Sequence, residues 1–324
     1  MAGAYIKAVR AHLPSVEVTN SYLERRFPGF TADKILAKTG IEKRYVAEEG
    51  EFSTDLARRA CEKLFESSAI DPSKIDALLV CTQTPETLIP TTACKLQDTL
   101  GLPREIFALD YNLGCSGYVY GLSLASSLIA SGQAKQVLLV TADTYSKIID
   151  PEDRSVVSIF GDAGSATWIA GVEGDADGIS GFVFGTDGSG ADHLACGYGL
   201  KGRGDSHELA LRMNGPEIFN FTLGVVPRSV KESLSKLGLG LEDIDLFVLH
   251  QANAFMLEHL RKKIGIPEEK FLVAMRNTGN TVSTSIPMAL REAELQGKLR
   301  SGMRILLAGF GVGLSWAACV VRWL

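Results

Sequence analysis

The chain carries one pattern twice, and a long internal repeat restricts a fold more than any single motif does. Residues 60–83, ACEKLFESSAIDPSKIDALLVCTQ, run in step with residues 230–253, VKESLSKLGLGLEDIDLFVLHQAN. In each copy, apolar residues at helical spacing lead through an Ile-Asp turn into an unbroken apolar run, IDALLVC or IDLFVLH. The helical positions are Leu56, Ala60 and Leu64 in the first copy and Val226, Val230, Leu234 and Leu237 in the second. The apolar runs predict short strands covered on both faces. Further along, LGLPREIFALDYNLGC (100–115) parallels IGIPEEKFLVAMRNTGN (264–280), and GQAKQVLLVTAD parallels GMRILLAGF. Any two α/β segments share some pattern, but three matches in one order point to a duplicated unit.

Strand, helix and parallel strand in alternation predict crossover units, and two such halves predict a layered α/β sandwich with sites at strand-to-helix junctions. Aligned on the shared Ile-Asp pair, Cys81 falls opposite His250, and a one-residue gap places Cys115 opposite Asn280. The turn-rich stretch GVEGDADG (171–178) predicts a division into residues 1–173, with Cys115, and 174–324, with His250 and Asn280.

At 324 residues, 46% hydrophobic and 22% charged, the chain can bury a large core, which argues against disorder. A formal net charge of -5 offers no general attraction to nucleic acid or to an anionic membrane. The six cysteines form no CxxC pair and no ligand spacing with the five histidines, which argues against a zinc site. Free thiols suggest a reducing compartment, and Lys7, Arg10 and Pro14 interrupt any signal-like apolar stretch, so the expected location is the cytoplasm. Ile305 to Val321 is uncharged over roughly a membrane-spanning length, yet Gly309, Gly311 and Gly313 predict a tight turn between two buried strands.

Three residues stand where chemistry is expected. Cys115 lies between a strand ending near Asn112 and a helix beginning near Ser116, where the helix macrodipole favours thiolate. A buried cysteine serving as a small hydrophobe fits that position equally well. His250 ends the run DLFVL and precedes an amphipathic helix, a place where histidine is seldom used for packing, whereas His259 reads as a surface residue. Asn280 is ordinary Gly-Asn turn chemistry when taken alone, but an amide beside a neutral imidazole can direct two N–H groups at one carbonyl oxygen. Together the three make a nucleophile with an oxyanion site. No GxSxG occurs, and GTDGSGADH (185–193) lacks a P-loop lysine and reads as a turn.

Ordered motifs from end to end carry a family resemblance: KTGIEKRYV (38–46), CTQTPETLIPTTACKLQDTLG (81–101), GCSGYVYGL (114–122), DPEDRSVVSIFGDAGSA (150–166), HQAN (250–253), GNTVSTSIP (279–287) and GFGVGLSWA (309–317). With them the chain resembles the β-ketoacyl-acyl carrier protein synthase III group of the thiolase-like superfamily. The resemblance implies a thiolase-like layered α-β-α-β-α sandwich of two internally repeated halves. It implies that Cys115 accepts an acyl group from acyl-CoA or acyl carrier protein. His250 and Asn280 would then hold the carbonyl of a malonyl-acyl carrier protein thioester and stabilise the enolate left by decarboxylation. It implies backbone donors at Cys115 and at Val312, no metal or redox cofactor, and a homodimer.

Several positions depart from the family's pattern. Lys34 stands where many members place a tryptophan against the CoA adenine, and Lys38 replaces a nearby arginine, while Arg154 matches the other adenine neighbour. Phe255 replaces an arginine that meets the carrier, leaving Lys262 and Lys263 on the same helix. Ile89 takes the place of a phenylalanine that closes the partner's acyl pocket, which predicts room for a longer, branched or polar acyl group, and Phe310 matches the aromatic beside the cysteine. Two other functions fit the same fold: an acyltransferase passing the acyl group to oxygen or nitrogen without decarboxylation, and a partner subunit without chemistry. A degradative thiolase would need a second cysteine in GFGVG, which has none, and plant-type polyketide synthases are usually longer.

Overall fold

The computed structural model describes residues 2–174, 177–197 and 209–324. Its frame is two mixed sheets with the same strand order. The first contains β1 (Ala2–His12), β4 (Ala77–Cys81), β5 (Phe107–Tyr111), β6 (Gln136–Asp143) and β7 (Ala163–Glu173), in the order β1-β7-β6-β4-β5. The second contains β8 (Ile179–Thr186), β11 (Leu246–Leu249), β12 (Arg304–Gly311) and β13 (Ser315–Arg322), in the order β11-β12-β13-β8. Two-stranded ribbons pair β2 (Val16–Thr19) with β3 (Lys43–Val46) and β9 (Leu194–Ala195) with β10 (Arg212–Met213).

The repeat is visible strand by strand. β4 lies parallel to β6, which runs antiparallel to β7, and β7 antiparallel to β1. In the second sheet β11 lies parallel to β12, then β13 and β8 follow antiparallel. The partner expected for β5 is reduced to a single parallel bridge between Phe247 and Phe271. In the sequence the two segments look alike, but only the first extends into a paired strand.

Helices complete five layers. The helix Gly117–Ala130 touches strands of both sheets, and Ser285–Leu295 packs beside it against β1 and β11. A helix wedged between two sheets is buried over most of its surface: Tyr118, Val119, Leu122, Ala125 and Ile129 are all buried, while Leu124 and Ser127 are exposed. Outside the first sheet lie Ser53–Ser67 and Thr92–Thr99, and outside the second lie Gly215–Leu237 and Ala254–Ile264. Three apolar clusters fill the spaces between layers: one, with Leu122 and Leu307, joins the central helices to both sheets, and two outer ones contain Phe247 and Leu306, and Leu64 and Val80. This is the layered sandwich expected of the repeat, in the α-β-α-β-α order that the family resemblance implies.

The uncharged stretch 305–321 forms β12, a turn and β13, and among the described residues no helix is long and apolar enough to cross a membrane. GTDGSGADH contains the short 3-10 turn Gly188–His193. Residues 175 and 176 of the stretch read as the junction lie outside the described residues; β7 ends before them at Glu173 and β8 begins after them at Ile179.

Candidate active site

Strand ends of both halves meet at one cavity of about 1000 Å³, lined by Cys115, His250, Asn280, Phe310 and Gly311 among others. Cys115, His250 and Asn280 are 5%, 1% and 5% exposed, so a substrate reaches them through the cavity. The duplication relates the contributors: Cys115 follows β5 in the first half, Asn280 follows its shortened counterpart around Phe271 in the second, and His250 directly follows β11.

Cys115 sits just before the helix Gly117–Ala130, with Ser116 between them at the N-cap position. The glycine loop packs directly on it. A Cβ at Gly309 would lie 2.6 Å from the Cys115 carbonyl oxygen, and one at Gly311, whose φ is 155°, would lie 2.9 Å from Sγ. Only glycine permits both the approach and that backbone. The N–H groups of Val312 and of Cys115 itself donate towards the sulfur. Val312 is held by a directed chain: its carbonyl can only accept, so Ser315 Oγ donates to it at 2.8 Å, and Ser116 Oγ, 2.7 Å away, donates to Ser315.

A resting thiolate, expected from the helix N-terminus, is not what the surroundings favour. Burial and the nearby Asp143 push the Cys115 thiol up to about 12, and the two backbone donors offset only part of this. His250, wholly buried, is pushed down to about 3 and is neutral. The resting pair is therefore uncharged thiol and uncharged imidazole.

His250 Nδ1 lies 2.6 Å from Ser285 Oγ, the first residue of a central helix, which leaves Nε2 for the cavity. Ser285 Oγ also accepts from Gln251 N at 3.4 Å, so its own proton can go to Nδ1 and the ring proton to Nε2. Phe310 stands edge-on to the imidazole with ring centroids 5.4 Å apart.

The amide of Asn280 is oriented by the backbone. Its Oδ1 accepts from Val282 N at 2.9 Å, so Nδ2 is the atom left for the cavity. Val282 achieves this at φ 53°, an uncommon conformation for a β-branched residue, and its side chain is fully buried. Strain is thus stored beside the amide it aims. The backbone of Asn280 is clamped as well, its N–H to Ile159 O and its carbonyl to Gly161 N.

Among the outer residues read from the sequence, Lys38, Arg154 and Phe255 line the cavity and Lys34 does not. Lys34 is exposed, with Nζ 3.4 Å from Gly29 O. The aromatic face near Arg154 is Phe30, whose ring centroid lies 5.7 Å from the guanidinium carbon. Lys262 pairs with Glu258 at 3.0 Å on the helix Ala254–Ile264, and Lys263 is exposed beside it. His259 is exposed as expected, its ring tilted 48° to that of Phe255 with centroids 4.2 Å apart. Ile89 is 86% exposed and does not line the cavity of its own chain.

The sequence reading missed Ser116, Ser285, Val282, Ser315 and Phe30. Serines inside CSG, TSIP and LSW carry no signal of their own, because each acts through a partner 3 to 199 residues away.

Comparison with known proteins agrees with this architecture. Residues 109–188 match the family described as 3-oxoacyl-[acyl-carrier-protein (ACP)] synthase III, and residues 234–323 match its C-terminal region. The chain is 37% identical to β-ketoacyl-[acyl-carrier-protein] synthase III of Clostridium tetani, covering 97% of this chain and 96% of that one. It is 40% identical to β-ketoacyl-[acyl-carrier-protein] synthase III 3 of Streptomyces coelicolor, covering 96% and 94%. A crystal structure of a 3-oxoacyl-(acyl-carrier-protein) synthase III superposes with a TM-score of 0.97 at 47% identity, over 99% of this chain and 100% of that one. Sequence and fold agree over the whole length, and the chain belongs to the 3-oxoacyl-[acyl-carrier-protein] synthase III family.

Proposed function

We propose that the enzyme joins an acyl group held on Cys115 to a malonyl thioester, releasing carbon dioxide and a 3-oxoacyl product. The observation that carries this reading is the convergence, in one buried cavity, of a thiol under two backbone N–H groups with an imidazole and an amide held by their far sides.

In the first half-reaction the Cys115 sulfur attacks the donor thioester, and the departing thiol carries away the proton. Exchange of one thiol for another needs no net charge, which suits a neutral resting site. The Cys115 and Val312 N–H groups stabilise the tetrahedral oxyanion; losing one such donor typically costs about 100- to 1000-fold in rate. In the second half-reaction His250 Nε2–H and Asn280 Nδ2–H hydrogen-bond the malonyl thioester oxygen. Loss of carbon dioxide leaves the enolate on that oxygen, and its carbon attacks the Cys115 thioester. The same backbone donors hold the second oxyanion, and its collapse expels the Cys115 thiolate, which takes up one proton from solvent. No step assigned to these residues calls on a cofactor.

We assign the donor as acyl-CoA or an acyl carrier protein, and the acceptor as malonyl-acyl carrier protein. The Phe30–Arg154 pair and Lys38 at the cavity supply an aromatic face and cations for a nucleotide. Lys262 and Lys263 supply charge for an acidic carrier helix. We also place two copies together: β5 is an edge strand exposing Phe107 and Leu109, close in the chain to exposed Leu88 and Ile89. An apolar unpaired edge is a pairing surface, and Ile89 would then reach the partner's acyl pocket. We take residues 1–173 and 174–324 as the two halves, and free thiols at all six cysteines as consistent with the cytoplasm.

Mass spectrometry after exposure to a panel of acyl thioesters tests the first step, and an adduct that persists in Cys115→Ala removes the central claim. His250→Ala and Asn280→Ala are expected to keep acylation and lose carbon dioxide release from the malonyl thioester. Acyl transfer to oxygen or nitrogen acceptors without that release would instead favour a simple acyltransferase.

A further inference from the structure

A carboxylate that takes no part in these steps sits between the two halves of the site. Asp143, the last residue of β6, is wholly buried. Its Oδ1 accepts from Gln83 N at 2.8 Å, and its Oδ2 accepts from Ser283 Oγ and, at 3.4 Å, from Ser283 N. Gln83 reaches the nucleophile loop, with Nε2 donating to Asn112 Oδ1 at 3.1 Å and Oε1 accepting from Tyr145 at 2.6 Å. Ser283 lies between Val282, whose N–H orients Asn280, and Ser285, which holds His250. One side chain therefore ties the strand end of the first half to the segment that sets both carbonyl-binding groups of the second.

The titratable groups that face Asp143 are Cys81, Tyr111, Cys115, Tyr145 and Asp162, none of them a cation. Burial raises Asp143 to about 7, and the bonds from Ser283 and Gln83 hold it from going higher. A buried charge without a counter-ion is costly, and this one also opposes ionisation of the nucleophile. Such a residue works against thiol reactivity while strengthening the hydrogen bonds that hold the 280–285 segment.

We propose that Asp143 is a positioning residue for condensation: its carboxylate clamps Ser283 so that Asn280 and His250 converge on the acceptor carbonyl. The inference rests on the condensing function proposed above. It predicts opposite effects on two measurements, where a purely structural role would depress both.

The test compares wild type, Asp143→Asn and Ser283→Ala. Alkylation of Cys115 by iodoacetamide is followed against pH, and carbon dioxide release from malonyl-acyl carrier protein is measured on acyl-enzyme. Removing the charge is expected to move the Asp143→Asn alkylation profile to lower pH and raise its neutral-pH rate about threefold or more, since one pKa unit changes the thiolate fraction about tenfold. Condensation is expected to fall about tenfold or more, with the malonyl carrier KM within about threefold, as for loss of a hydrogen bond to a charged group. Ser283→Ala is also expected to lose condensation, and it stands as the test if Asp143→Asn does not fold. Undiminished condensation in both variants, or a parallel fall of alkylation and condensation, overturns the inference. A wild-type enzyme that releases no carbon dioxide from any malonyl thioester overturns the functional reading instead.

Discussion

Replacing Gly311 with alanine tests how closely the glycine loop is fitted to the nucleophile. The new methyl would stand 2.9 Å from Cys115 Sγ and 3.0 Å from its Cβ, against an ordinary contact of about 3.5–4.0 Å. Neither Cys115, pinned before its helix, nor the loop, pinned through Ser315 and Ser116, can yield freely. Overpacking costs about 1–3 kcal/mol, and the backbone at φ 155° adds about 1–3 kcal/mol for a residue with a Cβ. The sum, about 2–6 kcal/mol, corresponds to a fall in Tm of roughly 3–9 °C for a chain of this size. A shift of the sulfur by about 1 Å would cost about 100-fold in acylation. The exposed helical Gly224, where a Cβ meets nothing within 4 Å, is the control; Gly224→Ala is expected to add about 0.5–1 kcal/mol and leave acylation untouched. Single-turnover acylation by mass spectrometry and thermal unfolding measure both effects. Acylation of Gly311→Ala within about threefold of wild type at an unchanged Tm would refute the placement of the loop against the sulfur.

Asn280→Asp keeps the acceptor for Val282 N–H but turns a second acceptor towards the cavity, so the fold is expected to persist while condensation falls about 100-fold or more; retained condensation would show that no donor is needed there. His250, held near 3 in the folded state against an ordinary 6.5, binds fewer protons folded than unfolded, so its contribution to stability is present above neutral pH and is lost as pH falls. Wild type is therefore expected to lose about 3 kcal/mol relative to His250→Gln on going from neutral pH to about 4, and equal acid sensitivity in chemical unfolding would contradict this. Leu109→Glu on the exposed edge strand β5 is expected to yield monomers in sedimentation velocity, whereas an unaltered species distribution would place any self-association elsewhere.

Much of the frame was legible because it is written twice in local periodicity. Leu56, Ala60, Leu64, Val226, Val230 and Leu234 are buried, as their helical spacing requires, and IDALLVC and IDLFVLH form buried strands. The alignment of Cys81 with His250 corresponds to equivalent ends of β4 and β11. The edge position of β5 was not legible, since FALDY and its shortened counterpart around Phe271 differ little in pattern. The outer residues were read less well. Lys34 and Lys38 share a helix at i and i+4, yet only Lys38 lines the cavity, while Phe30, just before that helix, supplies the ring beside Arg154.

What the sequence by itself determined is the duplicated layer order and the candidates Cys115, His250 and Asn280 at the junctions where strands turn into helices. What only the tertiary structure decided is their chemical state and aim. A helix N-terminus is a local feature and argues for a thiolate, but burial and Asp143 come from elements far apart in the chain and leave a neutral thiol. The direction of the Asn280 amide depends on Val282 adopting φ 53°, and the imidazole's on Ser285, both fixed by packing in the central layer. Periodicity reports which face of an element is covered. Side-chain orientation and ionisation depend on what covers it, and that is settled only when the layers close.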